Sequence, residues 1–119
     1  NINVYAINIT LIIITFSGIS FIIYGLNALY SKRMISEFER WGFSKYRKPI
    51  SIFQILAASG LIIGLKLNFI LTLSSLGLTI MMFFAIIVRI KINDDISRIL
   101  PAMTYFMLNA VIFYYSLQI

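Results

Sequence analysis

The chain has 119 residues, of which 61% are hydrophobic and 12% charged, with a mean hydropathy of +0.95 and neither cysteine nor histidine. A soluble domain carries about 45–50% apolar and about 25% charged residues, so composition excludes a soluble globular domain and a disordered tail. The missing Cys and His exclude disulfides, thiolate metal sites and imidazole bases, and the net charge of +6 does not imply nucleic acid, because the charges lie in short connections between long apolar runs.

A membrane helix needs about 20 mainly apolar residues to cross about 30 Å of hydrocarbon. Four runs meet or approach that length, at 4–30, 49–65, 67–88 and 99–119. The first, Val4 to Tyr30, carries no charge. It is too long for the core of a signal peptide, and nothing basic precedes it. The stretch 33–41 follows, where Met34, Ile35, Phe38 and Trp41 recur at helical spacing among charged residues. It reads as a short amphipathic helix lying in the membrane interface, with Gly42 as its C-terminal stop. Phe38, Trp41, Lys45, Arg47 and Lys48 are its expected anchors at headgroup depth, with a docking surface for a partner or lipid as the other reading.

Pro49 opens the second run, where its missing N–H costs nothing. That run carries Gln54 and the pair Gly60 and Gly64, a GxxxG match. The third run places Thr72, Ser75 and Thr79 on one face; the fourth carries Tyr105 and Asn109, with Pro101 expected in its first turn. Asp94 and Asp95 stand just before that helix, where carboxylates complement the helix dipole. Every Lys and Arg except Lys66 falls in the first or third connection. The positive-inside rule then puts those connections in the cytoplasm and both termini outside.

Ser17, Ser20, Tyr24 and Asn27 form one polar stripe on the first run, with Gly18 and Gly25 beside it as packing positions. Four weakly polar stripes facing one another are open to two readings. Asn27, Gln54 and Asn109 tie the helices together, or Tyr24, Asn27, Gln54, Tyr105 and Asn109 line a pocket for a lipid or quinone headgroup. No Asp, Glu, Lys or His lies within a run, which argues against an ion-coupled transporter and a charged channel filter.

Phe16-Ser17-Gly18-Ile19, then Glu37-Phe38-Glu39-Arg40-Trp41-Gly42-Phe43, then Gln54 leading into Ala57-Ala58-Ser59-Gly60, give an order that resembles the DoxX-like family of small membrane proteins. The resemblance covers about Phe16 to Tyr115. It implies a four-helix bundle in the bacterial inner membrane, associated with oxidoreductase complexes, including quinone-linked sulfur oxidation, or assisting other membrane proteins. The family pattern often carries a Glu where Gln54 stands, so here that group does not ionise. A polar residue near the end of the third run is matched by Arg89.

The expectation is therefore an all-α, integral membrane four-helix bundle forming one domain over 1–119. It would be a multi-pass protein of the bacterial inner membrane, serving as a non-catalytic accessory subunit or assembly factor of a larger membrane complex. The other reading is a quinone- or lipid-binding component of an oxidoreductase. No intrinsic cofactor or metal and no nucleic-acid partner is expected. Membrane lipids are expected partners, and self-association through Gly60 and Gly64 stays open.

Overall fold

The computed structural model describes the backbone of residues 4–118 and side chains from Asn8 to Gln118. Residues 1–3, and Ile119 of the last predicted run, lie outside the described residues. Helix α1 spans Val4–Tyr30, α2 Lys32–Trp41, α3 Arg47–Ile63, α4 Asn68–Lys91 and α5 Ile96–Gln118, with a 3-10 turn at Ser44–Tyr46. Among the described residues the fold is all-helical. Three helices are long and apolar enough to cross a membrane: Asn8–Tyr30 within α1, α4 and α5. The fourth expected run, α3, has 17 residues and rises only about 26 Å at about 1.5 Å per residue.

The helices pack in a ring. Helix α4 lies along α5 and α1 along α3, α3 joins the two pairs, and the α1–α5 seam is the thinnest. The bundle measures 47 × 25 × 17 Å. Its solvation is inverted relative to a soluble core. Ser17, Ser51, Ser75, Asn109 and Ser116 are fully buried beside Ile14, Phe21, Leu61, Leu78 and Ile112. Large apolar side chains such as Ile12, Leu56, Phe69 and Met107 point outward. Small and polar residues inside with apolar residues outside is the arrangement that lets helices associate in hydrocarbon, where apolar contact alone gives no advantage over lipid.

Local signals set the element ends. Ser31 breaks the chain between α1 and α2, and its Oγ accepts the Met34 amide at 3.4 Å. Gly42 stops α2 in the left-handed region, φ 82°, with Phe43 N–H on Phe38 O and Gly42 N–H on Glu39 O, the paired bonds of a Schellman stop. Asn93, φ 60°, repeats that stop after α4, with Asp94 N–H on Arg89 O and Asn93 N–H on Ile90 O. Pro49 lies in the first turn of α3, as expected. Pro101 does not lie in the first turn of its helix. Helix α5 starts at Ile96 rather than 99, with the Asp95 carbonyl taking the amides of Arg98 and Ile99. Pro101 therefore falls in the helix body and leaves the Ser97 carbonyl without its i+4 donor.

Candidate functional site

Glycine sets the depth of the bundle. A Cβ at Gly64 would stand 2.7 Å from the Leu71 Cα, and one at Gly60 would overlap the Ser74 side chain, so α3 and α4 touch almost backbone to backbone there. Gly18 and Gly25 do the same for α1 against α3, at Ile62 and Ile55 respectively. The GxxxG face is thus spent inside the bundle against α4, which leaves it no free surface for self-association.

Those contacts fix the register of the interior polar residues. Asn109 is closed on itself and its neighbours. Its Nδ2 donates to Tyr105 O at 2.9 Å and to Ser17 Oγ at 3.2 Å, and Ser17 Oγ faces its Oδ1 at 3.4 Å. This reciprocal pair crosses the thin α1–α5 seam. Closer to the charged end of the bundle, Tyr105 gathers three rings from α1: Phe21 at 5.1 Å, Tyr24 at 5.6 Å and Phe16 at 6.1 Å. Because Gly25 rests over Ile55 and Ser51, Gln54 lies level with Tyr24 and hence with Tyr105. Gln54 is 9% exposed, and its amide has no hydrogen-bond partner among the described residues. Asn27 faces outward, with its carbonyl accepting the Ser31 amide at 2.7 Å. The five predicted pocket residues therefore divide: Tyr24, Tyr105 and Gln54 share a layer, Asn109 is a tie, and Asn27 stands apart.

Two hydroxyls on α4, those of Ser75 and Thr79, turn back on their own helix. Ser75 donates to Leu71 O and Thr79 to Ser75 O, which satisfies them without an interhelical partner. At the end opposite the charges, Thr72 donates to Ser116 Oγ and Asn68 Nδ2 to Ser116 O, each at 2.8 Å, fastening α4 to α5.

The charged end holds a cluster that local sequence does not reveal. Asp94, its side chain only 4% exposed, takes Arg40 Nη1 at 2.7 Å, Arg89 Nη1 at 3.2 Å and Arg98 Nη1 at 3.8 Å. Arg40 also pairs with Glu37. Hydrogen bonding from Arg40 holds the Asp94 carboxyl below its ordinary range, against an opposing effect of partial burial, and the charges of Arg40, Arg89 and Arg98 add to the lowering. The Arg40 guanidinium is raised further by its bonds to Asp94 and Glu37. Asp94 is thus an ion-pair hub rather than a dipole complement; Asp95 alone keeps the helix-start position.

This hub changes the setting of the expected anchors. Arg89 lies 4.8 Å over the Trp41 ring, and Phe38 packs edge-on to Trp41 at 4.9 Å and is buried. The apolar face of α2 is therefore covered in part by the bundle itself. Arg47 Nη1 donates to Ala28 O and Leu29 O at 2.8 and 2.7 Å, capping the C-terminal carbonyls of α1. Lys45 stands 5.7 Å over the Tyr46 ring, and Lys48 is exposed. Among the described residues no group of three or more His, Cys, Asp or Glu could hold a metal ion.

A model of the DoxX-like family matches residues 9–112. No curated protein and no solved structure matches the chain.

Proposed function

The chain belongs to the DoxX-like family and is a membrane protein, and on that premise we propose that it is a four-span, non-catalytic accessory subunit or assembly factor of a larger complex in the bacterial inner membrane. Helix α3 counts as the fourth span because Ile52, Phe53, Leu56, Ile62 and Ile63 are exposed along it, an apolar surface that only lipid or another membrane helix satisfies. The distribution of Lys and Arg supports a cytoplasmic position for the charged end.

The observation that carries the reading is the way α2 is held. Stopped by Gly42 and clamped through Arg40 to Asp94, it is a fixed helix at the cytoplasmic boundary. Lys32, Arg33 and Glu39 face outward from it. A rigid charged ledge suits a partner subunit better than it suits a reaction, and the interior polar groups are largely engaged, Asn109 and Ser116 across helices and Ser51, Ser59, Ser75 and Thr79 on their own helix. Affinity purification from native membranes in mild detergent, with mass spectrometry, tests this. A stoichiometric protein partner, lost on Arg33→Glu, is the expected result; a chain that purifies alone after crosslinking in cells overturns it.

One observation favours the second reading, a quinone- or lipid-binding component of an oxidoreductase. Gln54 offers an unused amide in the layer of Tyr24 and Tyr105, and a quinone carbonyl needs such a donor in apolar surroundings. Native mass spectrometry of the purified chain with added ubiquinone would show binding that Gln54→Ala abolishes; equal binding by the variant removes this reading.

A further inference from the structure

At the charged end, cations and carboxylates are shared unevenly. Arg40, Arg89 and Arg98 converge on Asp94, and Arg40 also takes Glu37. Arg47 is committed to the last carbonyls of α1. Lys32 and Arg33 on α2, and Lys45 and Lys48 at the 43–48 turn, are exposed. None of these takes part in an ion pair among the described residues. Folding therefore spends the arginines next to the α4–α5 turn on a nearly buried carboxylate and leaves the cations at the start of α3 uncompensated.

The position of the 43–48 turn is fixed. Its 3-10 segment packs on α2 and α3, and the bonds from Arg47 to Ala28 O and Leu29 O hold it level with the end of α1. Helix α1 is long and apolar enough to cross a membrane, so the turn sits where that helix leaves hydrocarbon. Tyr30, Phe43 and Tyr46 expose their rings at this level, and Lys45 stands over the Tyr46 ring. Phe38 and Trp41, the anchors expected from the sequence, are instead engaged with each other and with Arg89. Exposed rings settle at headgroup depth, and lysines beside them attract anionic headgroups.

We infer that the 43–48 turn is a contact surface for anionic phospholipid, which it selects from the surrounding leaflet through Lys45 and Lys48, while the α4–α5 side of the same end selects none. The rings among the cations fit lipid rather than an acidic protein segment, because they lie at the depth where α1 leaves hydrocarbon. Lys32 and Arg33 add to the field but face outward from α2, where a protein partner would meet them. The surface is separate from the Gln54 layer and does not depend on whether the chain has a protein partner.

The test is tryptophan quenching in vesicles of phosphatidylglycerol and phosphatidylcholine in equal parts, with bromine on the acyl chains of one lipid or the other. In the full chain Trp41→Phe removes the single tryptophan, and Tyr46→Trp then places the reporter in the turn. Brominated phosphatidylglycerol competes for this reporter about threefold better than brominated phosphatidylcholine, on the order expected for cations held at an anionic surface. Lys45→Gln combined with Lys48→Gln lowers that ratio toward one, as does salt of about 0.5 M, whereas Lys66→Gln at the opposite end leaves it unchanged. Leu100→Trp, at an exposed position near the start of α5, gives a reporter that the two lipids quench equally. An equal ratio at Tyr46→Trp, indifference to loss of both lysines, the same preference at Leu100→Trp, or quenching by neither lipid at Tyr46→Trp overturns the assignment.

Discussion

Arg40 of α2 and Asp94 of the α4–α5 turn, separated by 54 positions in sequence, meet at 2.7 Å and join a surface helix to the far half of the bundle. The Asn93 stop makes this contact possible. By taking the left-handed conformation it sets the Asp94 amide on the Arg89 carbonyl, and the Asp94 carboxylate then comes within reach of Arg89, Arg98 and Arg40.

Asp94→Asn removes the charge that three guanidiniums share, and α2 loosens from the bundle. Trp41 is the single tryptophan of the chain, so its fluorescence reports the change directly. The expected outcome is a red-shifted emission and faster proteolysis between Ser31 and Lys48, with the helical content of the bundle retained. An unchanged emission would show that Phe38 and Trp41 hold α2 without the ion pairs.

Acid produces the same release. The folded Asp94 carboxyl titrates below its ordinary value of 3.8, so its contribution is complete above about pH 4 and is lost as the pH falls through the lower folded value. Trp41 emission is expected to stay constant from pH 8 to about pH 5 and to shift only below about pH 4. In Asp94→Asn that acid step disappears.

The Ser17–Asn109 pair is a buried polar bond across the thinnest seam. A double-mutant cycle with Ser17→Ala and Asn109→Ala, read by unfolding in denaturing detergent, should give a coupling of about 1 kcal/mol. A coupling near zero would mean that the Tyr105 ring cluster alone closes α1 on α5.

Gly64→Val places a branched side chain where even a Cβ stands 2.7 Å from the Leu71 Cα. The expected loss is about 1–3 kcal/mol, the usual range for overpacking, and thermal unfolding in detergent measures it. Gly42→Ala, by contrast, meets nothing nearby, and its cost comes only from the left-handed backbone.

Gln54→Leu exchanges a buried amide that lacks a partner for a hydrocarbon of similar size. In detergent without added ligand the variant should be no less stable, because the Gln54 amide makes no hydrogen bond within the described residues for the substitution to break. Destabilisation would mean that the amide is bonded in the purified protein to a retained molecule.

Much of the fold could be read from the sequence because each apolar run is bounded by charge, and charge marks where a helix leaves hydrocarbon. The same rule misplaced the start of α5. Arg98 and Ser97 are helical, and the helix begins at Ile96 just after Asp95, where a carboxylate with a serine two residues on was the available sign. Gly42 was legible because a glycine after a periodic segment has few other uses. Asn93 carried the same message more weakly, since Asn also serves in ordinary turns. The Arg40–Asp94 contact left no local trace: it depends on α2 folding under the α4–α5 turn, and no spacing rule connects the two. Asn68 and Ser116 were likewise invisible, because the bond that orients the Asn68 side chain comes from a helix 48 positions away.

The short third helix has a mechanical consequence for the surrounding bilayer. With α3 as the proposed fourth span, three helices are long enough for hydrocarbon about 30 Å thick, but along α3 the wall is only about 26 Å tall. Lipids on that flank must compress or the bundle must lean to hide the difference, at fractions of a kcal/mol per ångström. The deformation is one-sided, so it gives the bundle a front and a back. A second membrane protein with a matching short helix would relieve it by settling against the α3 flank.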